Sequence, residues 1–366
     1  MNISVLLKNN KYLVFALLFA ALNALAIFLI FGFRQYGDTS GYINAIHWFL
    51  GKNIIVNPWI ILRPLGPLIA SPFEFLGEGA GLIVQNIVFY LFSAVLVFKI
   101  TELVFSNKKQ ALFASLFFIT ATQVLEVGLA YLTDMGAWFF YLLSTFLTLF
   151  YFKNRNEKLI VLNGFLSGMG VLMKENGGLG ILFFAMMVVL SREFNLREKI
   201  SRILRFGIFF FIPIVLLQIF MYQNFGVTTL DWYLYQLRGF GQGEGIFLVI
   251  LRYFGQLFRT LGFLWIFFFI GLWQELRERN LERLKIYLAL LPASLSFFLW
   301  PISAGGRSVF IFAPLGILLA VNGFKKIRPV FLVIIFLAVL IVNYWFVSVN
   351  QQIAFIDLIY TSIFSR

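Results

Sequence analysis

Long apolar runs, each near the length of a bilayer crossing and each bounded by a small cluster of charges, constrain this chain more than any other feature. Tyr12 to Phe33 is the clearest run, and Asn23 alone interrupts it. About 20 apolar residues in a helix cross the ~30 Å hydrocarbon layer. Segments of this kind recur near 11–33, 82–104, 111–127, 134–152, 159–173, 176–191, 206–222, 255–273, 286–302, 308–323 and 329–348. Charged residues make up 12% of the 366 residues, about half the share of a soluble domain. The pattern therefore excludes an ordinary soluble fold. It predicts an all-α polytopic membrane protein of about eleven transmembrane helices, a single transmembrane domain over 1–366 with no soluble C-terminal domain.

The charges also predict orientation. With a cytoplasmic N-terminus and alternating sides, more than two-thirds of the Lys and Arg residues fall on the cytoplasmic side. Each segment on that side carries at least two, as the positive-inside rule expects. The first run is too long for a signal peptide and reads as a retained span. The expected location is a plasma (inner) membrane. The net charge of +13 is spread over many short loops and forms no single patch, which argues against a nucleic-acid partner. The basic stretch from Arg192 to Arg205 suits anionic lipid headgroups instead. The absence of cysteine excludes disulfides, thiolate metal sites and cysteine nucleophiles. One histidine, His47, cannot make a polyhistidine site.

Two outer segments are long. The first, about 34–81, has amphipathic stretches near 39–51 and 64–76, with Pro58, Pro64, Pro67 and Pro72 as breakers. These read as helices lying along the membrane surface. The second, about 223–254, holds Asp231 and the glycine-rich run from Gly239 to Gly245. That run lacks the Gly-Lys-Ser/Thr of a P-loop. It reads equally as a loop over a site and as a plain connector.

The chemistry-bearing residues gather on the same outer side. Asp38 follows the first span at a helix start, where the ordinary reading is an N-cap. Asp134 opens the fourth span, and Arg63, Lys174 and Arg307 lie at the same surface. A carboxylate facing cations suits transfer chemistry: a general base takes a proton from an acceptor hydroxyl, and cations stabilise a departing phosphate. A sugar on a lipid phosphate presents both groups at this depth. Lys174-Glu175 reads equally well as an interfacial ion pair that ends a span. Gly164, Gly168 and Gly170 read as close helix packing. His47 reads first as a packing or interfacial residue.

The motifs form an ordered set. Gly37-Asp38-Thr39-Ser40-Gly41-Tyr42, then Arg63-Pro64-Leu65-Gly66-Pro67, resembles the first outer loop of the GT-C membrane glycosyltransferases, in the branch of protein O-mannosyltransferases and aminoarabinose transferases. Tyr131-Leu132-Thr133-Asp134 resembles the second acidic position. Gly164 to Glu175 resembles the glycine-rich span ending in Lys-Glu, and Gly306-Arg307 with Phe312-Ala313-Pro314 resembles the late arginine-to-proline segment. The resemblance covers roughly residues 10–325. It implies a GT-C-like bundle, a polyprenyl-phosphate sugar donor and inversion at the anomeric carbon. By matching position, Asp38 is the expected catalytic base and Asp134 a second catalytic carboxylate. Arg63, Lys174 and Arg307 are expected to hold the donor phosphate, with Tyr42, Glu175 and His47 in support. The resemblance leaves room for a divalent metal at Asp38 and Asp134. Where many relatives carry an acidic pair, Thr39 follows Asp38. The expected partners are a polyprenyl-phosphate-linked sugar, an acceptor glycan, lipid or protein, and membrane lipids. The competing reading is a lipid or solute transporter or flippase. Mid-span positions hold only a few neutral polar groups, such as Asn23, Gln218 and Asn343, which argues against ion coupling. A non-catalytic scaffold would leave the outer Asp and Arg residues unexplained.

Overall fold

The computed structural model describes residues 10–232, 234, 246–299 and 305–364. Hydrocarbon offers backbone N–H and C=O groups no partner, so a chain this apolar satisfies them internally as helices. Among the described residues every regular element is helical. Helix α1 (Lys11–Phe31) ends at Gly32, where φ is +68°. The first loop follows as α2 (Thr39–Phe49), two short helices α3 (Pro58–Ile61) and α4 (Leu65–Ala70), and a 3-10 turn Ser71–Leu76. These coincide with the expected amphipathic stretches.

The bundle continues with α5 (Ala80–Phe105), α6 (Lys108–Ile119), a π-helical turn Val124–Gly128, and α7 (Asp134–Asn154). Then come α8 (Lys158–Met173), a 3-10 turn Glu175–Leu179, α9 (Gly180–Leu190) and α10 (Leu196–Phe225). The later part comprises α11 (Ile246–Leu261), α12 (Leu264–Glu278), α13 (Leu281–Leu295), α14 (Gly305–Val309), α15 (Ala313–Gly323) and α16 (Pro329–Phe364). The Gly239–Gly245 run lies outside the described residues.

Among the described residues the expected count of eleven crossing helices is not confirmed. Each expected segment is helical over much of its length, and among the described residues five helices are long and apolar enough to cross: α1, α5, α7, α10 and residues 329–350 of α16. A sixth requires α11 and α12 to be joined across an 84° bend at Gly262, whose φ is +51°. The rest are too short. Helix α8, with 16 residues, measures only about 24 Å. Turns at 120–128 interrupt the expected 111–127 segment, and the turn at 174–179 falls at the expected boundary between 159–173 and 176–191.

Helices α5 and α7 form the centre, 67% and 72% buried, whereas α1, α10 and the first part of α16 are 28% or less buried and present apolar side chains outward. Helices α8 and α10 lie close because glycines face them: a β-carbon at Gly168 would meet the Phe210 carbonyl oxygen at 2.2 Å. The glycine-rich segment therefore packs helices, as expected. The first loop is seated against α10. Val56, Ile61 and Leu62 are buried with Leu217 and Met221, and Trp59 meets Trp232 with ring centroids 5.3 Å apart. This seat fixes the loop that carries Asp38.

Candidate active site

The site is built where two loops are tied together. Tyr131 N–H donates to the Arg34 carbonyl at 3.0 Å. Thr39 Oγ1 accepts the Tyr36 N–H at 2.8 Å and donates to the Tyr131 carbonyl at 3.3 Å. Behind them Asn86, fully buried on α5, donates to the carbonyls of Ala130 and Leu132 at 2.7 and 2.8 Å. The loop before α2 and the loop before α7 are thereby held in register. Close packing tightens the junction, since a β-carbon at Gly66 would lie 2.3 Å from Thr133 Cγ2. On the flank Arg34 Nη1 stands 3.5 Å from Glu126 Oε1, which also accepts from Asn350 Nδ2 at 2.5 Å.

Asp38 stands at the start of α2 but its side chain caps nothing. Thr39 performs the local hydrogen bonding, which leaves the Asp38 carboxylate 44% exposed. Its Oδ2 accepts from Arg307 Nη1 at 3.1 Å. The same guanidinium grips Asp134: Nη2 donates to Oδ2 at 2.9 Å, and Nε lies 3.2 and 3.3 Å from the two oxygens. Asp134 is fully buried, and Lys174 Nζ donates to its Oδ1 at 2.5 Å. Lys174 is extended, with φ −171° and ψ 150°, between the end of α8 and the next 3-10 turn. Arg307 is placed by packing two layers down. Trp138, one turn along α7 from Asp134, meets Phe310, one turn beyond Arg307, with centroids 4.4 Å apart.

Four of the residues singled out by sequence, Asp38, Asp134, Lys174 and Arg307, thus converge as one quartet. Arg63 does not join it directly. Its Nη2 and Nε contact Glu175 Oε1 at 2.8 and 2.9 Å, a buried pair beside the quartet. Tyr42, wholly buried, accepts from Thr133 Oγ1 at 3.2 Å and faces both Arg63 and Arg307. Tyr42 therefore links the two clusters. His47 is apart from both: Nε2 lies 3.3 Å from Glu74 Oε1, which also accepts the Gly79 N–H at 2.8 Å. That contact braces the far end of α2. Thr39 and Asn86 were not singled out as site residues. Thr39 had drawn notice only as a departure from an acidic pair, and Asn86 reads in sequence as one polar residue in a span.

The electrostatics follow from burial and pairing. Burial, with Arg307 and Arg63 nearby, pushes Lys174 down to about 8 despite its contact with Asp134. Burial alone would lower the Arg63 value, but the Glu175 carboxylate outweighs it and Arg63 stays firmly charged. Burial acts to raise Glu175, and Arg63 overrides it and holds the carboxyl below its usual range. The quartet is formally neutral, two carboxylates with two cations. Both cations lie against the buried carboxylate and leave an oxygen of the exposed one without a donor among the described residues.

Residues 64–217 match the family model of dolichyl-phosphate-mannose-protein mannosyltransferases. In a crystal structure, the Archaeoglobus fulgidus oligosaccharyltransferase in complex with zinc and sulfate matches with a TM-score of 0.58 and 17% identity, over 91% of this chain and 52% of its own. The oligosaccharyltransferase AglB from Archaeoglobus fulgidus, bound to an inhibitory peptide and a dolichol-phosphate, matches with a TM-score of 0.61 and 14% identity, over 94% of this chain and 56% of its own. The chain has the GT-C glycosyltransferase fold. It spans about half the length of those GT-C structures. No curated protein shows significant sequence similarity to it. Within the GT-C fold, the matched family segment begins beside Arg63 and includes Asp134, Lys174 and Glu175, while Asp38 and Arg307 fall outside it.

Proposed function

We propose that the protein is an inverting glycosyltransferase that moves a sugar from a polyprenyl-phosphate donor to an acceptor hydroxyl on the outer face of the plasma membrane. Asp38 acts as general base. The acceptor oxygen attacks the anomeric carbon from the side opposite the phosphate, and its proton passes to Asp38. The electron pair of the breaking carbon–oxygen bond goes to the phosphate, which Arg307 and Lys174 receive. Asp134 anchors these two cations from below. On donor binding the phosphate takes Arg307 Nη1 from Asp38, so the base is unmasked as the leaving group is seated. Arg63 acts one step back, through Tyr42 and with Glu175, and His47 steadies α2.

One observation carries this reading: a half-exposed Asp38 carboxylate, free of any capping bond, 3.1 Å from a guanidinium that also grips a buried Asp134. A general base needs an accessible lone pair within hydrogen-bond reach of the hydroxyl. A developing phosphate charge needs donors already in place. The relative bound to dolichol-phosphate and a peptide supports a polyprenyl-linked donor, and a glycan, lipid or protein is the matching acceptor class. The outward apolar faces of α1, α10 and α16 suit a donor that arrives within the hydrocarbon layer.

The test measures sugar transfer by the purified protein from a panel of synthetic polyprenyl-phosphate sugars, with Asp38→Asn and Arg307→Ala beside the wild type. The reading predicts transfer by the wild type and loss in both variants. Wild-type rates in both variants would remove the assigned site.

A further inference from the structure

We infer that Arg307 occupies the place a divalent cation would take in this site, so that the guanidinium is the built-in electrophile for a phosphate donor and the reaction runs without a bound metal. The inference rests on the proposed glycosyl transfer for its catalytic half and on geometry alone for its cation half. Asp38 and Asp134 are the carboxylates that would hold a metal, and Arg307 already joins them through Nη1 at 3.1 Å and Nη2 at 2.9 Å.

The donor set does not fit a divalent ion. Asp134 Oδ1 accepts from Lys174 and lies 3.3 Å from Arg307 Nε, while Oδ2 accepts from Arg307 Nε and Nη2. Both oxygens are turned to donors that a metal at about 2.0–2.6 Å would have to displace. Among the described residues no group of three His, Asp or Glu side chains converges. His47 is committed to Glu74, and Glu126 to Arg34 and Asn350. A divalent ion entering here would also meet two cations, Arg307 and Lys174, packed on the same carboxylate. Thr39, whose hydroxyl ties the Tyr36 and Tyr131 backbones, adds no carboxylate beside Asp38. A planar guanidinium suits the position, because its fork can hold Asp134 with one edge and offer Nη1 to a phosphate oxygen.

The first arm of the test needs no activity. The purified wild-type protein, stripped with EDTA, is titrated with Mn²⁺ and followed by electron paramagnetic resonance, and its melting temperature is read with and without Mn²⁺ or Zn²⁺. A bound ion would raise the melting temperature by mass action. The expected result is no saturable Mn²⁺ site and no upward shift. A stoichiometric Mn²⁺ site that disappears in Asp38→Asn or in Asp134→Asn would overturn the inference.

The second arm reads transfer from the synthetic donors. EDTA should leave the wild-type rate unchanged. Arg307→Ala should lose about 10²–10³-fold, and added guanidinium chloride should restore part of that loss where Mn²⁺ restores none. Rescue by Mn²⁺, or abolition of wild-type transfer by EDTA, would contradict it. If the wild type transfers no sugar, the fault lies with the proposed function, and the Mn²⁺ titration alone decides the cation assignment.

Discussion

At opposite ends of helix α15 lie two clusters with the same inventory of charges: Asp38, Asp134, Lys174 and Arg307 at one end, Glu275, Glu278, Arg283 and Lys325 at the other. Each holds two carboxylates, one arginine and one lysine, and each buries one carboxylate completely. The difference is where the cations go. Buried Glu275 takes Arg283 Nε at 3.0 Å and Asn322 Nδ2 at 3.0 Å. Its more exposed partner Glu278 receives Arg283 Nη2 at 2.6 Å and Lys325 Nζ at 3.0 Å. Every carboxylate there is satisfied, and the cluster clamps the ends of α12, α13 and α15. In the candidate site both cations crowd onto buried Asp134, and exposed Asp38 receives one contact. The same charges make a clamp when spread evenly and a reactive carboxylate when spread unevenly.

Substitutions in matched pairs would break or sharpen this contrast. The largest difference is expected between the arginines. Arg307→Ala should cut transfer about 10²–10³-fold, while Arg283→Ala should lower the melting temperature and leave the transfer rate of the folded protein unchanged. Next come the buried carboxylates. Asp134→Asn leaves buried Lys174 without its carboxylate and should cost about 3–5 kcal/mol of stability, whereas Glu275→Gln leaves Arg283 on Glu278 and should cost less, both read by thermal unfolding in detergent. Asp134→Asn alone should also abolish transfer.

A smaller effect is expected from pH. Lys174, lowered to about 8 by burial and by Arg307 and Arg63, loses its proton as the pH rises through that value. Transfer should then fall on the alkaline side, as one cation leaves the phosphate site. Stability should move the other way. Between about 8 and the ordinary lysine value of 10.5 the unfolded chain binds the proton that the folded chain has lost, so the Lys174 contribution rises with pH. A melting series in wild type and Lys174→Met checks that sign. The smallest effect belongs to His47. His47→Gln should change stability by less than about 1 kcal/mol and leave transfer intact, because the His47–Glu74 contact braces α2 away from Asp38.

Much of the fold was legible in the sequence, because a long apolar run states its own secondary structure. The placement of helices at each expected span and the surface helices of the first loop came from composition and spacing. The number of full crossings did not. Turns at Thr120–Gly128 and Lys174–Leu179 depend on backbones packed face to face, as where a β-carbon at Gly170 would sit 2.5 Å from the Gly177 carbonyl oxygen. That proximity is tertiary and invisible along one strand of letters. In the site, the residue types and their common end of the bundle were legible, and the partnerships were not. Asp38 looked like a cap because local statistics favour one. Thr39 takes the backbone bonding instead, and only the fold shows that Arg307, 269 residues away, claims the carboxylate. Arg63, expected to hold phosphate, also pairs with Glu175, a partnership that is not read along the sequence.

The account turns on Asp38 as a base held ready by Arg307. The most direct measurement is the transfer rate of Asp38→Asn from the synthetic donor that the wild type uses best, with donor binding measured on the same samples. The account predicts loss of about 10²–10⁴-fold in rate with donor binding and melting temperature preserved. A variant that still transfers sugar at the wild-type rate would contradict it.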